Sequence, residues 1–239
     1  MRFASFLLLV IAGAVHGQDR ALHLFEKRQI SKEFFCEGAT AGDLNRDGHV
    51  DVIAGPHWFE GPGFETKHEL YEPIPFNVKR YSENFFAWVE DFNGDGYLDL
   101  FVSSWGPTDP VHYFENDGSG QFEDKTAAMG LAGVTGGLNL THADYDNDGD
   151  SDVLILRGAW LGVAGHHPNT LLRNDGAKFT DVTESSGILS FHPTQTADWG
   201  DYDRDGDLDL FIGNESSREE VHPCELFENQ GDGTFVEVA

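Results

Sequence analysis

"DYDRDGDLDLFIGN", residues 201–214, places five aspartates in nine positions and then runs directly into Leu-Phe-Ile. Carboxylates this crowded repel one another, so a stable fold calls for a neutralising cation. The same phrase recurs as "DYDNDGDSDVLIL" from 144, "DFNGDGYLDLFVS" from 91 and "DLNRDGHVDVIAG" from 43. Counted from the first Asp, positions 1, 3 and 5 are Asp or Asn, position 6 is Gly and position 9 is Asp in all four. Oxygen ligands at every second residue, with glycine at the tight bend, wrap a chain around a hard cation that takes six to eight oxygens.

This reading names the ligands. In the loop from 201, Asp201, Asp203, Asp205 and Asp209 offer carboxylates and Asp207 its backbone carbonyl. The loop from 144 offers Asp144, Asp146, Asp148 and Asp152 with the carbonyl of Asp150. The other two use Asn at position 3: Asp43, Asn45, Asp47 and Asp51 with the carbonyl of His49, and Asp91, Asn93, Asp95 and Asp99 with that of Tyr97. An EF-hand starts in the same way but needs a bidentate Glu at position 12 on a helix. Position 12 here is Ala54, Val102, Ile155 or Ile212, inside an apolar run. The Asp at position 9 therefore closes the site, and the chain leaves it as a β-strand. Calcium at about four sites is the expected cofactor, since magnesium demands compact octahedral geometry and zinc prefers nitrogen and sulfur.

The four leading aspartates are spaced by 48, 53 and 57 residues, a period that signals a propeller or solenoid. Each unit has a second half. "HYFENDGSGQFEDKT" from 112, "TLLRNDGAKFTDVT" from 170 and "ELFENQGDGTFVEVA" from 225 combine an apolar pair, an Asn-Asp-Gly-type turn and an outer strand. "HWFEGPGFETKHELYE" from 57 is a looser version. Four short strands per unit make a propeller blade, so the expected fold is an all-β propeller of about four blades. The blades fall roughly at 20–75, 76–132, 133–189 and 190–239, the last incomplete. Runs such as Asp152–Leu156 and Asp209–Gly213 are apolar on both faces and belong between neighbouring sheets.

Composition bounds the partners. A formal charge of -27 repels polyanions, which argues against nucleic acid and anionic membrane surfaces. Arg2 followed by the apolar run Phe3–Ala12 and small residues up to Gly17 reads as a signal peptide over residues 1–17, too short to span a bilayer. A secreted or extracytoplasmic protein follows, and no later segment is apolar enough for a membrane span. Two cysteines, Cys36 and Cys224, are not a disulfide framework. Sequons stand at Asn139 and Asn214.

No GxSxG, HExxH, P-loop or Rossmann glycine pattern is present. None of the eleven histidines forms a ligand-spaced pair, and the adjacent His166 and His167 read as solvated loop residues. Trp58 and Trp199 read as blade packing; Trp105 and Trp160 lead towards a face where sugars stack.

The acidic loops, with "LLRNDGAKFTDVTESSGI" after the third, resemble the FG-GAP/VCBS repeat family, propellers related to the amino-terminal domain of integrin α chains. More narrowly they look like propellers that precede an ASPIC/UnbV domain. The resemblance covers residues from about 35 to the end. It implies calcium on one propeller face, secretion, and adhesion or contact with extracellular protein or glycan. Seven blades are usual in the family and four repeats occur here, which makes the chain part of a larger ring. An incomplete ring exposes apolar blade faces and invites self-association through open edges. The rival reading is a carbohydrate-active enzyme, a polysaccharide lyase or sugar dehydratase, which "AGPHWFEGPG" from 54 slightly favours.

Overall fold

A computed structural model describes residues 27–82 and 84–239. The signal peptide expected at residues 1–17 lies outside them. The described residues form an all-β fold of four antiparallel sheets, each of four strands in sequential order, with one 3-10 turn at Gly162–Ala164. The first holds β1 (Ala39–Gly42), β2 (Asp51–Ala54), β3 (His57–Phe59) and β4 (Lys67–Glu69). The second holds β5 (Phe86–Glu90), β6 (Asp99–Ser103), β7 (His112–Asn116) and β8 (Phe122–Asp124). The third holds β9 (Asn139–Ala143), β10 (Asp152–Leu156), β11 (Thr170–Asn174) and β12 (Phe179–Asp181). The fourth holds β13 (Thr194–Gly200), β14 (Asp209–Asn214), β15 (Glu225–Asn229) and β16 (Phe235–Glu237). The last unit, read from the sequence as incomplete, thus has four strands; its outer strand is as short as β4, β8 and β12.

Each acidic stretch connects the first two strands of its blade. The register places the ninth-position Asp opposite the residue just before the loop: Gly42 with Asp51, Glu90 with Asp99, Ala143 with Asp152, Gly200 with Asp209. All four loops therefore share one end of the blades, together with the turns after β7, β11 and β15. The connections between second and third strands, and those from blade to blade, share the opposite end.

Period-two alternation decides which blade each side chain meets. Leu100 packs towards the first blade and Phe101 towards the third; Val153 packs towards the second and Leu154 towards the fourth. Three apolar clusters join the blades consecutively, and among the described residues none joins the first to the fourth. Phe101 and Leu154 are completely buried, whereas Phe211, at the same place in β14, is 45% exposed. The expectation that this strand is buried on both faces fails at Phe211, because among the described residues no blade covers it. Tyr202 and Leu226 line the same open face. On the first blade, Arg28 donates to the carbonyl of Gly63, and Arg28 and Ile30 lie against Val52 and Phe64.

Candidate calcium-binding loops

The loops are preformed by their own hydrogen bonds. The position-1 carboxylate accepts from the amide of the position-6 glycine: Asp43 from Gly48, Asp91 from Gly96, Asp144 from Gly149 and Asp201 from Gly206, at 2.9–3.3 Å. The position-5 carboxylate accepts from the amide of position 7, as Asp47 does from His49, Asp95 from Tyr97, Asp148 from Asp150 and Asp205 from Asp207. These bonds turn the amides inward and need a left-handed backbone at the glycine, whose φ runs from 85° at Gly48 to 103° at Gly206. Position 4 is left-handed as well, at Arg46, Gly94, Asn147 and Arg204. The sequence pattern does not mark that second bend, since arginine occupies it twice.

The ninth aspartate is the buckle of each loop. Asp51, Asp99, Asp152 and Asp209 are at most 2% exposed. One oxygen of each accepts the amide of Gly61, Asn116, Asn174 or Asn229 at the end of the third strand, at 2.7–2.9 Å. The other accepts the position-2 amide of Leu44, Tyr145 or Tyr202; in the second blade the Tyr113 hydroxyl donates to it instead. Each carboxylate oxygen has a second lone pair, so this clamp leaves ligand capacity.

What the protein leaves unsatisfied fits a cation. Asp91 Oδ1, Asp144 Oδ1 and Asp146 Oδ1 are buried and accept no hydrogen bond among the described residues. Carboxylate oxygens of Asp144, Asp146 and Asp152 gather within 4.8 Å of one another, as do those of Asp201, Asp203 and Asp209. Desolvation, helped by neighbouring carboxylates, raises Asp146, and it pushes Asp152 up to about 8 and Asp99 to about 6. Repulsion and burial, opposed at Asp146 only weakly by Arg173, are relieved by a bound divalent ion. The two loops with Asn45 and Asn93 at position 3 lack the third carboxylate; there each Asn Oδ1 accepts the amide of Asp47 or Asp95.

Neighbouring loops touch. The Arg46 guanidinium lies 4.5 Å over the Tyr97 ring and donates to the carbonyl of Gly96. Asn147 donates to Asp207 Oδ1 at 2.8 Å, which ties the Asp207 side chain to the previous blade. A third link was missed in the sequence: the Asn of each Asn-Asp-Gly-type turn. Asn116, Asn174 and Asn229 donate to the position-2 carbonyl of the preceding blade's loop, at Leu44, Phe92 and Tyr145 respectively, at 2.7–2.9 Å. The first blade has Gly61 at this place and makes no such bond.

The remaining candidates separate by burial. Trp58 is 1% exposed and stacks on His68 at 4.1 Å, so "AGPHWFEGPG" is packing. Trp199 stacks on Tyr145. Trp160 is 52% exposed, and Trp105 lies 4.8 Å from Tyr81 at the end opposite the acidic loops. Both cysteines are free, and burial pushes the Cys36 thiol up to about 11. The Asn214 amide nitrogen already donates to Pro223 O and Glu225 Oε2, so that sequon is engaged within the fold. No helix of the described residues is long and apolar enough to cross a membrane.

Residues 91–155 match the FG-GAP-like repeat. Cartilage acidic protein 1 of Homo sapiens is 22% identical over 237 residues, covering 84% of this chain and 34% of that protein. Its Mus musculus counterpart is 22% identical over 234 residues, covering 84% and 35%. The chain spans about a third of the length of the curated relatives it matches. A solved structure concerning recognition of non-reducing terminal N-acetylglucosamine by an Agrocybe aegerita lectin is similar at a TM-score of 0.45 and 17% identity, covering 83% of this chain and 50% of that one.

Proposed function

Because the chain carries FG-GAP-like repeats, matched from its second acidic loop into the strand after its third, we propose that it is a secreted calcium-binding propeller module that contacts extracellular protein or glycan without catalysis. The carrying observation is the set of buried, unpartnered carboxylate oxygens at Asp91, Asp144 and Asp146, in loops whose inward amides are already satisfied. Calcium held there would be bonded by Asp at positions 1, 3, 5 and 9 and by the position-7 carbonyl, with Asn45 and Asn93 replacing one carboxylate in the weaker pair. It would neutralise the shared end of the blades and brace the loops against one another. The similarity to cartilage acidic protein 1 supports an extracellular setting. Trp58, which the enzyme reading draws on, is sealed in the core.

A ligand bound only by the folded state adds RT ln(1 + [L]/Kd), about 2.7 kcal/mol per site at a hundredfold excess over Kd. Chelation should lower the melting temperature by many degrees, calcium should restore it and magnesium should restore little. A melting curve indifferent to chelator refutes the metal reading. A glycan and matrix-protein array probed with and without calcium tests the binding role, which predicts calcium-dependent capture.

A further inference from the structure

Three histidines that stand far apart in sequence converge at the end of the blades opposite the acidic loops. His166 lies in the connection from β10 to β11, His192 before β13, and His222 in the connection from β14 to β15. Glu220 lies between two of them: its Oε2 is 3.1 Å from His166 Nε2 and 3.5 Å from His222 Nε2. All three ligand atoms fall within 4.8 Å of one another.

The partners of the other ring nitrogens bear on what these atoms offer. His166 Nδ1 lies 3.2 Å from the carbonyl of Phe191. A carbonyl only accepts, so Nδ1 carries the hydrogen, and in the neutral ring Nε2 then presents a lone pair to Glu220. His222 Nδ1 lies 2.8 Å from His192 Nδ1. When His222 donates to His192, its Nε2 also presents a lone pair towards the same carboxylate. With both rings neutral, three lone pairs face one another, and a metal cation at their centre would relieve the repulsion that a proton on either ring otherwise relieves. Orientation of a ligating imidazole through its second nitrogen is the usual support for a metal site.

We propose that His166, His222 and Glu220 bind a divalent transition metal, with zinc as the natural occupant and His192 as a positioning residue. Ligands about 2.0–2.1 Å from a tetrahedral zinc stand roughly 3.3 Å apart, which the 3.1 and 3.5 Å separations bracket. His222 is 8% exposed at its side chain, while His166 and Glu220 are 45% and 40% exposed. The site thus has a buried floor and an open side where water or a partner's side chain completes the coordination. It ties the connections of the third and fourth blades together, independently of calcium. Glu220 is itself braced: its backbone amide donates to Ser217 Oγ at 3.0 Å.

The test uses the whole chain in excess calcium, so that the acidic loops are filled, with cobalt(II) as probe. One equivalent should bind with the visible bands of low-coordinate cobalt and be displaced by zinc. His166→Ala and Glu220→Gln, both at the surface, should weaken binding at least tenfold without changing the melting temperature in calcium alone. His192→Phe should weaken it about tenfold through lost orientation of His222. Asp144→Asn, in an acidic loop, should leave cobalt binding unchanged, which separates this site from the calcium reading. Failure of the wild type to take up cobalt or zinc, or equal uptake by His166→Ala, overturns the proposal. So does a ring NMR spectrum in which His166 stays doubly protonated and unmoved by zinc, since the cluster is then an ion pair.

Discussion

Replacing Asn174 by Ala tests whether the blades are held together by side-chain amides as well as by apolar contact. Asn174 is 0% exposed. Its Nδ2 donates to Phe92 O at 2.7 Å and Ser151 O at 3.2 Å, and its Oδ1 accepts from Gly176 N at 3.1 Å. Alanine removes all three bonds and leaves the Phe92 carbonyl without this donor in a buried setting. At about 1 kcal/mol per net bond for three bonds, with a further 1–3 kcal/mol for a buried group left unpaired, the expected loss is about 4–6 kcal/mol. Urea denaturation in saturating calcium reads it directly. Asn174→Asp should cost more than Ala, because it turns two donors into an acceptor that faces two carbonyl oxygens. A second readout is specific to the geometry. Phe92 is the second residue of the Asp91 loop, so a substitution in the third blade should weaken calcium binding in the second. Calorimetry should show that site weakened and the Asp201 loop unaffected. A loss under about 0.5 kcal/mol, or Asp tolerated better than Ala, refutes the reasoning.

Three further outcomes follow from the same geometry. Without calcium, burial holds Asp99 at about 6 and Asp152 at about 8, above the ordinary 3.8, so the folded chain binds protons that the unfolded chain has lost; stability should fall as pH rises from about 4 towards 8, and calcium, which favours the ionised carboxylates, should flatten that slope in melts with and without chelator. Gly149→Ala meets nothing within 4 Å but must hold φ at 98°, so denaturation should show a loss of about 1–2 kcal/mol that is conformational and not steric. Phe211→Ser, on the uncovered face of β14, should reduce self-association in light scattering with little change in melting temperature, whereas the equivalent Phe101→Ser should unfold the chain.

The repeat, the blade plan and the acidic loops were legible in the sequence because their causes are local. The bonds that shape each loop, such as Asp144 with Gly149 or Asp148 with Asp150, span at most five residues, and spacing alone exposes them. Strand alternation likewise showed that Leu154 and Phe101 serve two neighbours. The sequence could not show that Phe211 has only one, since burial depends on which sheet arrives beside it. Nor could it show that the turn asparagines reach across blades: Asn116 meets Leu44 over 72 residues, and Asn229 meets Tyr145 over 84. His166, His192 and His222 read as unrelated because no short spacing links them. They meet because antiparallel strands return three separate connections to one end of two adjacent blades. Contacts closed within a loop are written in consecutive residues; contacts between blades exist only once the sheets have stacked.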